Sequence, residues 1–116
     1  MKRGDVVIVP FPHQDKPGHK IRPALIVQSD GENQRLANTV LAMITGNLAD
    51  SSAPTNVLVD PNAQSGTGSG LSGPSLIKCT NLATIRQHRI LHLIGHLPTA
   101  TMHSINLALK TSLELP

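Results

Sequence analysis

HKIRPALIVQSD, residues 19–30, decides the fold, because here a basic cluster runs straight into a short apolar run. Ala24 to Val27, entered through Pro23, are small or strand-forming and bounded by polar turns, the pattern of a buried strand. Proline has no N–H to give a ladder, so Pro23 belongs at the strand's first residue. Arg22 then stands at a rim where a loop meets a rigid sheet. Such a scaffold fixes a side chain that still reaches solvent. Most charged side chains are only solvated surface, so an Arg-Pro pair does not define a site by itself.

Upstream, Val6 to Val9 make a strand stopped by Pro10-Phe11-Pro12, and residues 13–21 form a polar loop with Pro17-Gly18 as turn signal. Downstream, residues 29–38 are a polar turn region. Thr39 to Thr45 are a short apolar strand between Asn38 and Gly46, residues 46–55 a loop, and Asn56 to Asp60 a fourth strand. Residues 61–74 read as a long flexible loop. Ser75–Lys78 and Asn81–Ile85 are one bent strand or two short ones, and Ile90–Leu97 make another. Pro98-Thr99 opens the one convincing helix, where Met102, Ile105, Leu109 and Leu113 recur at helical spacing beside Ala108. Thr99 is its expected N-cap. With no repeat and no second domain, residues 1–116 form a single domain. The pattern predicts a mainly β (α+β) fold: a strongly bent antiparallel sheet or open barrel covered by one helix.

A chain of 116 residues buries roughly 65% of its unfolded surface, enough for a core without staples. The single cysteine, Cys79, allows no intrachain disulfide and fits a reducing compartment. Met1 is followed by Lys2-Arg3-Gly4-Asp5 rather than an apolar signal, and no run reaches transmembrane length. The expectation is a cytoplasmic protein with no membrane partner. Ten basic against seven acidic side chains give a net charge of +3, a mild bias compatible with a polyanionic partner. Phe11 is the only aromatic residue. Binders of single strands usually stack bases on several rings. Nucleic-acid recognition here would therefore rest on hydrogen bonds, phosphate contacts and arginine or histidine planes.

Three motifs are set aside on physical grounds. Gly68-Ser69-Gly70-Leu71-Ser72-Gly73 matches a dinucleotide turn, but it leads into a strand rather than a helix. It reads instead as a mobile loop, a lid over a binding groove. His88, His92 and His96 recur every fourth residue, but on a strand His92 and His96 lie roughly 13 Å apart, too far for one ion. No cysteine pair or carboxylate cluster completes a metal site. Cys79 has no positioned histidine to activate it and reads as a small buried hydrophobe.

Five segments then agree with one family in order: MKRGDVVIV at 1–9, IRPALIVQSD at 21–30, LAMITGN at 41–47, SLIKCTNLATI at 75–85 and IGHLPTATMHSINLALKTSLEL at 94–115. Together they cover nearly the whole chain, which resembles MazF/PemK-type toxins of bacterial type II toxin–antitoxin systems. The resemblance implies a small SH3-like antiparallel β-barrel with a C-terminal α-helix, working as a homodimer. It implies a metal-independent, cofactor-free endoribonuclease that cuts single-stranded RNA. A cognate antitoxin would occupy the RNA groove, and DNA binding would come through the antitoxin complex.

By this resemblance Arg22 and Thr45 are catalytic, and His19, Lys20, Gln28, Lys78, Thr80 and Asn81 contact RNA. The chemistry suits these residue types. Attack of a ribose 2′-OH on the adjacent phosphorus builds charge on oxygens that a guanidinium fits bidentately. A hydroxyl adds a hydrogen bond or passes a proton, and the products are a 2′,3′-cyclic phosphate and a 5′-OH. Arginine stays protonated, so it is not the base. His19 has a suitable intrinsic pKa for that role. Lys78-Cys79-Thr80 replaces the arginine–cysteine–aspartate run of some relatives, and Asn81-Leu82-Ala83-Thr84-Ile85 lacks the arginine of their Q-I-R-T-I. Two rival readings share the fold. One is a gyrase poison of the CcdB type, which depends on a C-terminal tryptophan segment that this chain lacks; the other is a catalytically silent RNA- or antitoxin-binding module.

Overall fold

Ala24, Leu25 and Ile26 are fully buried in the computed structural model, which describes residues 1–116. The strand holding them, β2 (His19–Ile26), begins earlier than the sequence suggested. It forms a hairpin with β1 (Asp5–Pro12), paired from Val6↔Leu25 out to Pro12↔His19. Pro23 therefore lies inside a strand, and Arg22 is a strand residue opposite Val9 rather than the last residue of a loop. The proline rule still holds in another form. Pairing of β2 with β3 (Asn38–Thr45) covers only Ala24–Ile26, so Pro23 sits just beyond that ladder.

The remaining elements are α1 (Asp30–Arg35), β4 (Asn56–Val59), β5 (Ser75–Arg86), a 3₁₀ turn at Gln87–Arg89, β6 (His92–His96) and α2 (Thr99–Leu113). All strands join one antiparallel sheet in the order β4-β5-β3-β2-β1-β6. Helix α1 falls where a turn was expected. Its signal is a cap rather than an apolar stripe: Ser29 Oγ accepts from Glu32 N–H at 3.2 Å, and Arg35 returns to Glu32 from the last turn.

Each face of the sheet carries its own core. On one, α2 lays Met102, Ile105 and Ala108 against Val6, Leu25, Ala42, Ile44, Ile77 and Cys79. On the other, Val7, Val9, Phe11, Ala24, Ile26 and Leu41 gather with Ala83, Ile85 and Ile90, so the sheet curls around them. Burial on both faces explains why Val6 to Val9 are apolar without alternation. Leu113, expected on the helix stripe, is 53% exposed in the last turn. Pro98, not Thr99, holds the N-cap position, with no side-chain bond. The early turns are anchored instead by Thr101 Oγ1 donating to Ser65 O at 2.7 Å.

Two irregularities shape the site. Ala42 pairs with Leu82 but Met43 pairs with Lys78, leaving Cys79, Thr80 and Asn81 outside the ladder. β5 is thus one bent strand, and bulges of this kind re-aim side chains beside active sites. The loop at 61–74, expected to be flexible, is pinned to β6. His96 N–H donates to Gly68 O at 2.9 Å, Ser69 and Leu71 are buried, and a Cβ on Gly70 would collide with Ile94 O. Gly70 also has φ +75°, so the close approach and the backbone both require glycine here.

Candidate functional site: a cleft where two strands part

The register that pairs Ala24 with Met43 and Leu25 with Ala42 places Arg22 across from Thr45, just past the last paired residues. Side chains opposite each other in an antiparallel pair share a face. Beyond Ala24 and Met43 the ladder stops, and clefts open between β2 and β3. One, about 550 Å³, runs past Lys20, Ile21, Pro23 and Ile44 to the pinned loop at Gly70–Ser75. A second, about 300 Å³, lies under the hairpin end and is lined by Phe11, His13, Asp15, Met43 and Asn81. Arg22 and Thr45 are the two residues that line both. Thr45 also borders a third, about 160 Å³, with Asn47, Asp50 and Lys78.

Arg22 is half-buried, and no protein group accepts a hydrogen bond or ion pair from its guanidinium. A charge held at a cleft with no partner is set to receive an anion. Thr45 Oγ1 accepts from Asn47 N–H at 3.1 Å, which holds the oxygen in place and leaves its own proton free to donate. Asn81, mostly buried on the bulge, donates to Met43 Sδ at 3.1 Å and lines the second cleft.

The expected site residues divide accordingly. Arg22, Thr45, Lys20, Asn81 and Lys78 all border clefts that meet at the parting of β2 and β3. Thr80 is exposed on the bulge. His19 lines a separate cleft with Arg86 and Arg89 and is not brought to Thr45. Gln28 lies elsewhere. Its Nε2 donates to Asn33 Oδ1 and Asn38 O, both at 2.9 Å, in a network that ties α1 to β3.

Sequence reasoning missed His13 and Asp15, which come to the cleft only because the hairpin folds over it. The Gly-rich stretch, read as a mobile lid over a groove, does line the larger cleft at Gly70–Gly73, but as a wall pinned to β6. No group of three or more His, Cys, Asp or Glu side chains gathers anywhere. His96 Nδ1 instead pairs with Asp5 Oδ1 at 2.7 Å across the β1–β6 ladder. Cys79 is buried away from the clefts, and its burial pushes the thiol up to about 11.

Fold and site together define the class. Residues 2–113 match the family described as PemK-like, MazF-like toxin of type II toxin-antitoxin system, and the chain belongs to that family. Among its relatives, endoribonuclease MazF6 of Mycobacterium tuberculosis is 32% identical over 97 residues, spanning 83% of this chain and 81% of the relative. Endoribonuclease EndoA of Bacillus subtilis is 30% identical over 118 residues, spanning 99% and 96%. A mycobacterial endoribonuclease solved in complex with its cognate antitoxin superposes with TM-score 0.78 at 28% identity, covering 100% of this chain and 97% of that one. The MazE–MazF structure from Deinococcus radiodurans, TM-score 0.75 at 18% identity over 100% and 98% of the two chains, supports the fold alone.

Proposed function

We propose that the chain is a toxin that cuts single-stranded RNA within the cleft shared by Arg22 and Thr45. One observation carries the reading: an unpartnered guanidinium and a hydroxyl whose proton is uncommitted stand at opposed positions of two parted strands and line the same two clefts. Their common target is a phosphodiester whose own 2′-OH attacks phosphorus. The P–O5′ bond breaks, leaving a 2′,3′-cyclic phosphate and a 5′-OH. Arg22 neutralises charge on the non-bridging oxygens, and Thr45 donates a hydrogen bond to the same group. Fixed donors of this kind contribute roughly a hundredfold or more each.

His19 does not suit the role of base, because it lines a different cleft. His13 and Asp15, which flank Arg22 in the second cleft, are the candidates in reach. The family relationship, and the antitoxin bound to a structural relative, favour inhibition by a cognate antitoxin and assembly of the toxin as a homodimer. The test is to incubate the purified protein with mixed RNA in chelator and map the new 5′ ends. New 5′-hydroxyl ends at a recurring short sequence are expected. Intact RNA, or cleavage only on adding a divalent ion, contradicts the reading.

A further inference from the structure

The far end of the β1–β2 hairpin closes over a second basic cleft, of about 380 Å³, lined by Pro12, His19, Asn38, Thr84, Ile85, Arg86 and Arg89. No acidic side chain lines it. His19, Arg86 and Arg89 are exposed, and none of them hydrogen-bonds or ion-pairs to another protein group through its side chain. Arg86 ends β5 and Arg89 ends the turn that follows, and Gln87 between them is tied down. Gln87 Nε2 reaches the carbonyls of Asn33, Leu36 and Asn38 at 2.9, 2.9 and 3.0 Å, and Gln87 N–H donates to Ala37 O at 2.8 Å. Those bonds use the glutamine inward and leave Arg86 and Arg89 on either side of it facing solvent. The sequence elsewhere supplies acids readily enough to neutralise an arginine, as Glu32 does for Arg35. Here none is supplied.

We propose that this cleft is a second phosphate-binding site, which grips the backbone of an RNA strand whose scissile phosphate lies at Arg22. The inference rests on the ribonuclease reading given above. Along β2, His19 is three residues from Arg22, roughly 10 Å at strand rise. Alternation turns the two side chains to opposite faces, so a strand of RNA that meets both passes round the hairpin end at Pro12. The two clefts on this route share Pro12 as their common wall. Two guanidinium forks with an imidazole beside them recognise phosphate oxygens and carry no base code, so the site adds affinity without adding sequence preference. It also compensates for the scarcity of aromatic rings: where bases have little to stack on, backbone charge holds the strand.

The experiment compares the parent with the double variant Arg86→Gln/Arg89→Gln. The probes are non-cleavable RNAs, 2′-deoxy at the scissile position, one of about 5 nucleotides and one of about 16, the span of single-strand grooves. The expected result is a tenfold or greater loss of affinity for the long RNA. Its logarithmic salt slope should fall by between one and two units, with the short RNA unaffected. On cleavable long RNA, KM rises while kcat and the cleaved sequence stay the same. Equal weakening for both lengths, an unchanged salt slope, or loss confined to a protein inhibitor overturns the proposal. Because affinity is read without cleavage, a parent that binds long RNA through these arginines but cuts nothing would sink only the ribonuclease reading. Melting curves that match the parent's show that the arginines, which are exposed, act on the ligand and not on the fold.

Discussion

Asn47 donates its backbone N–H to Thr45 Oγ1 at 3.1 Å, and this bond decides which way the hydroxyl works. With one lone pair engaged by the protein, the O–H proton is left free to donate to whatever occupies the cleft. Thr45→Ser keeps both functions and should cleave RNA within a few-fold of the parent. Thr45→Val keeps the shape, loses both bonds and should fall by roughly a hundredfold in kcat. Single-turnover cleavage rates of the two variants check this.

On the proposed mechanism Arg22 acts as a planar fork rather than as a charge alone, gripping the same phosphate as Thr45 across the cleft that both line. Arg22→Lys keeps the charge and loses the bidentate geometry. The expected kcat/KM lies well below the parent's, with the urea midpoint unchanged. A lysine variant as fast as the parent would reduce Arg22 to general electrostatics.

The wall of the larger cleft depends on glycine. A Cβ at Gly70 would run into Ile94 O, and the residue's φ of +75° adds strain for any L side chain. Gly70→Ala should destabilise the fold by about 1–3 kcal/mol and push the loop off β6, measured as a lowered urea midpoint together with a raised KM. Gly46 is the control: a methyl group there would meet nothing within 4 Å, and Gly46→Ala should leave the midpoint nearly unchanged.

Cys79 is chemically silent in the folded state. Burial raises its thiol from 9.0 to about 11, so the protonated form prevails at neutral pH. A maleimide should label it only on unfolding. The sign of the linkage follows: with the folded value raised, its contribution to stability is fully present below about pH 9 and is lost as pH climbs towards about 11. Urea midpoints of the parent should decline across that window more steeply than those of Cys79→Ala.

Much of this was legible in the sequence, for a physical reason. The apolar runs at Val6–Val9, Ala24–Ile26 and Thr39–Thr45 are buried on both faces, which leaves an unbroken signature for each strand. What was not legible comes from contacts between distant segments. The hairpin extends through His19–Arg22, although this mostly basic stretch looks like loop, because β1 offers a continuous partner. The Gly-rich stretch reads as flexible because its composition is that of a loop, and only packing on β6 pins it. Helix α1 is too short to show an apolar stripe and announces itself only by its cap. The resemblance to a family motif is what points to Arg22 and Thr45 as the expected catalytic pair. Their opposition across β2 and β3 is a fact of register, and nothing local to either residue reveals it.

That opposition is tested most directly by a double-mutant cycle on single-turnover cleavage with Arg22→Ala, Thr45→Val and both together. If the two side chains act on one phosphate, the double variant should be little slower than the slower single one, as for groups that work as a unit. Losses that multiply in full would show two independent contributions and contradict a shared site.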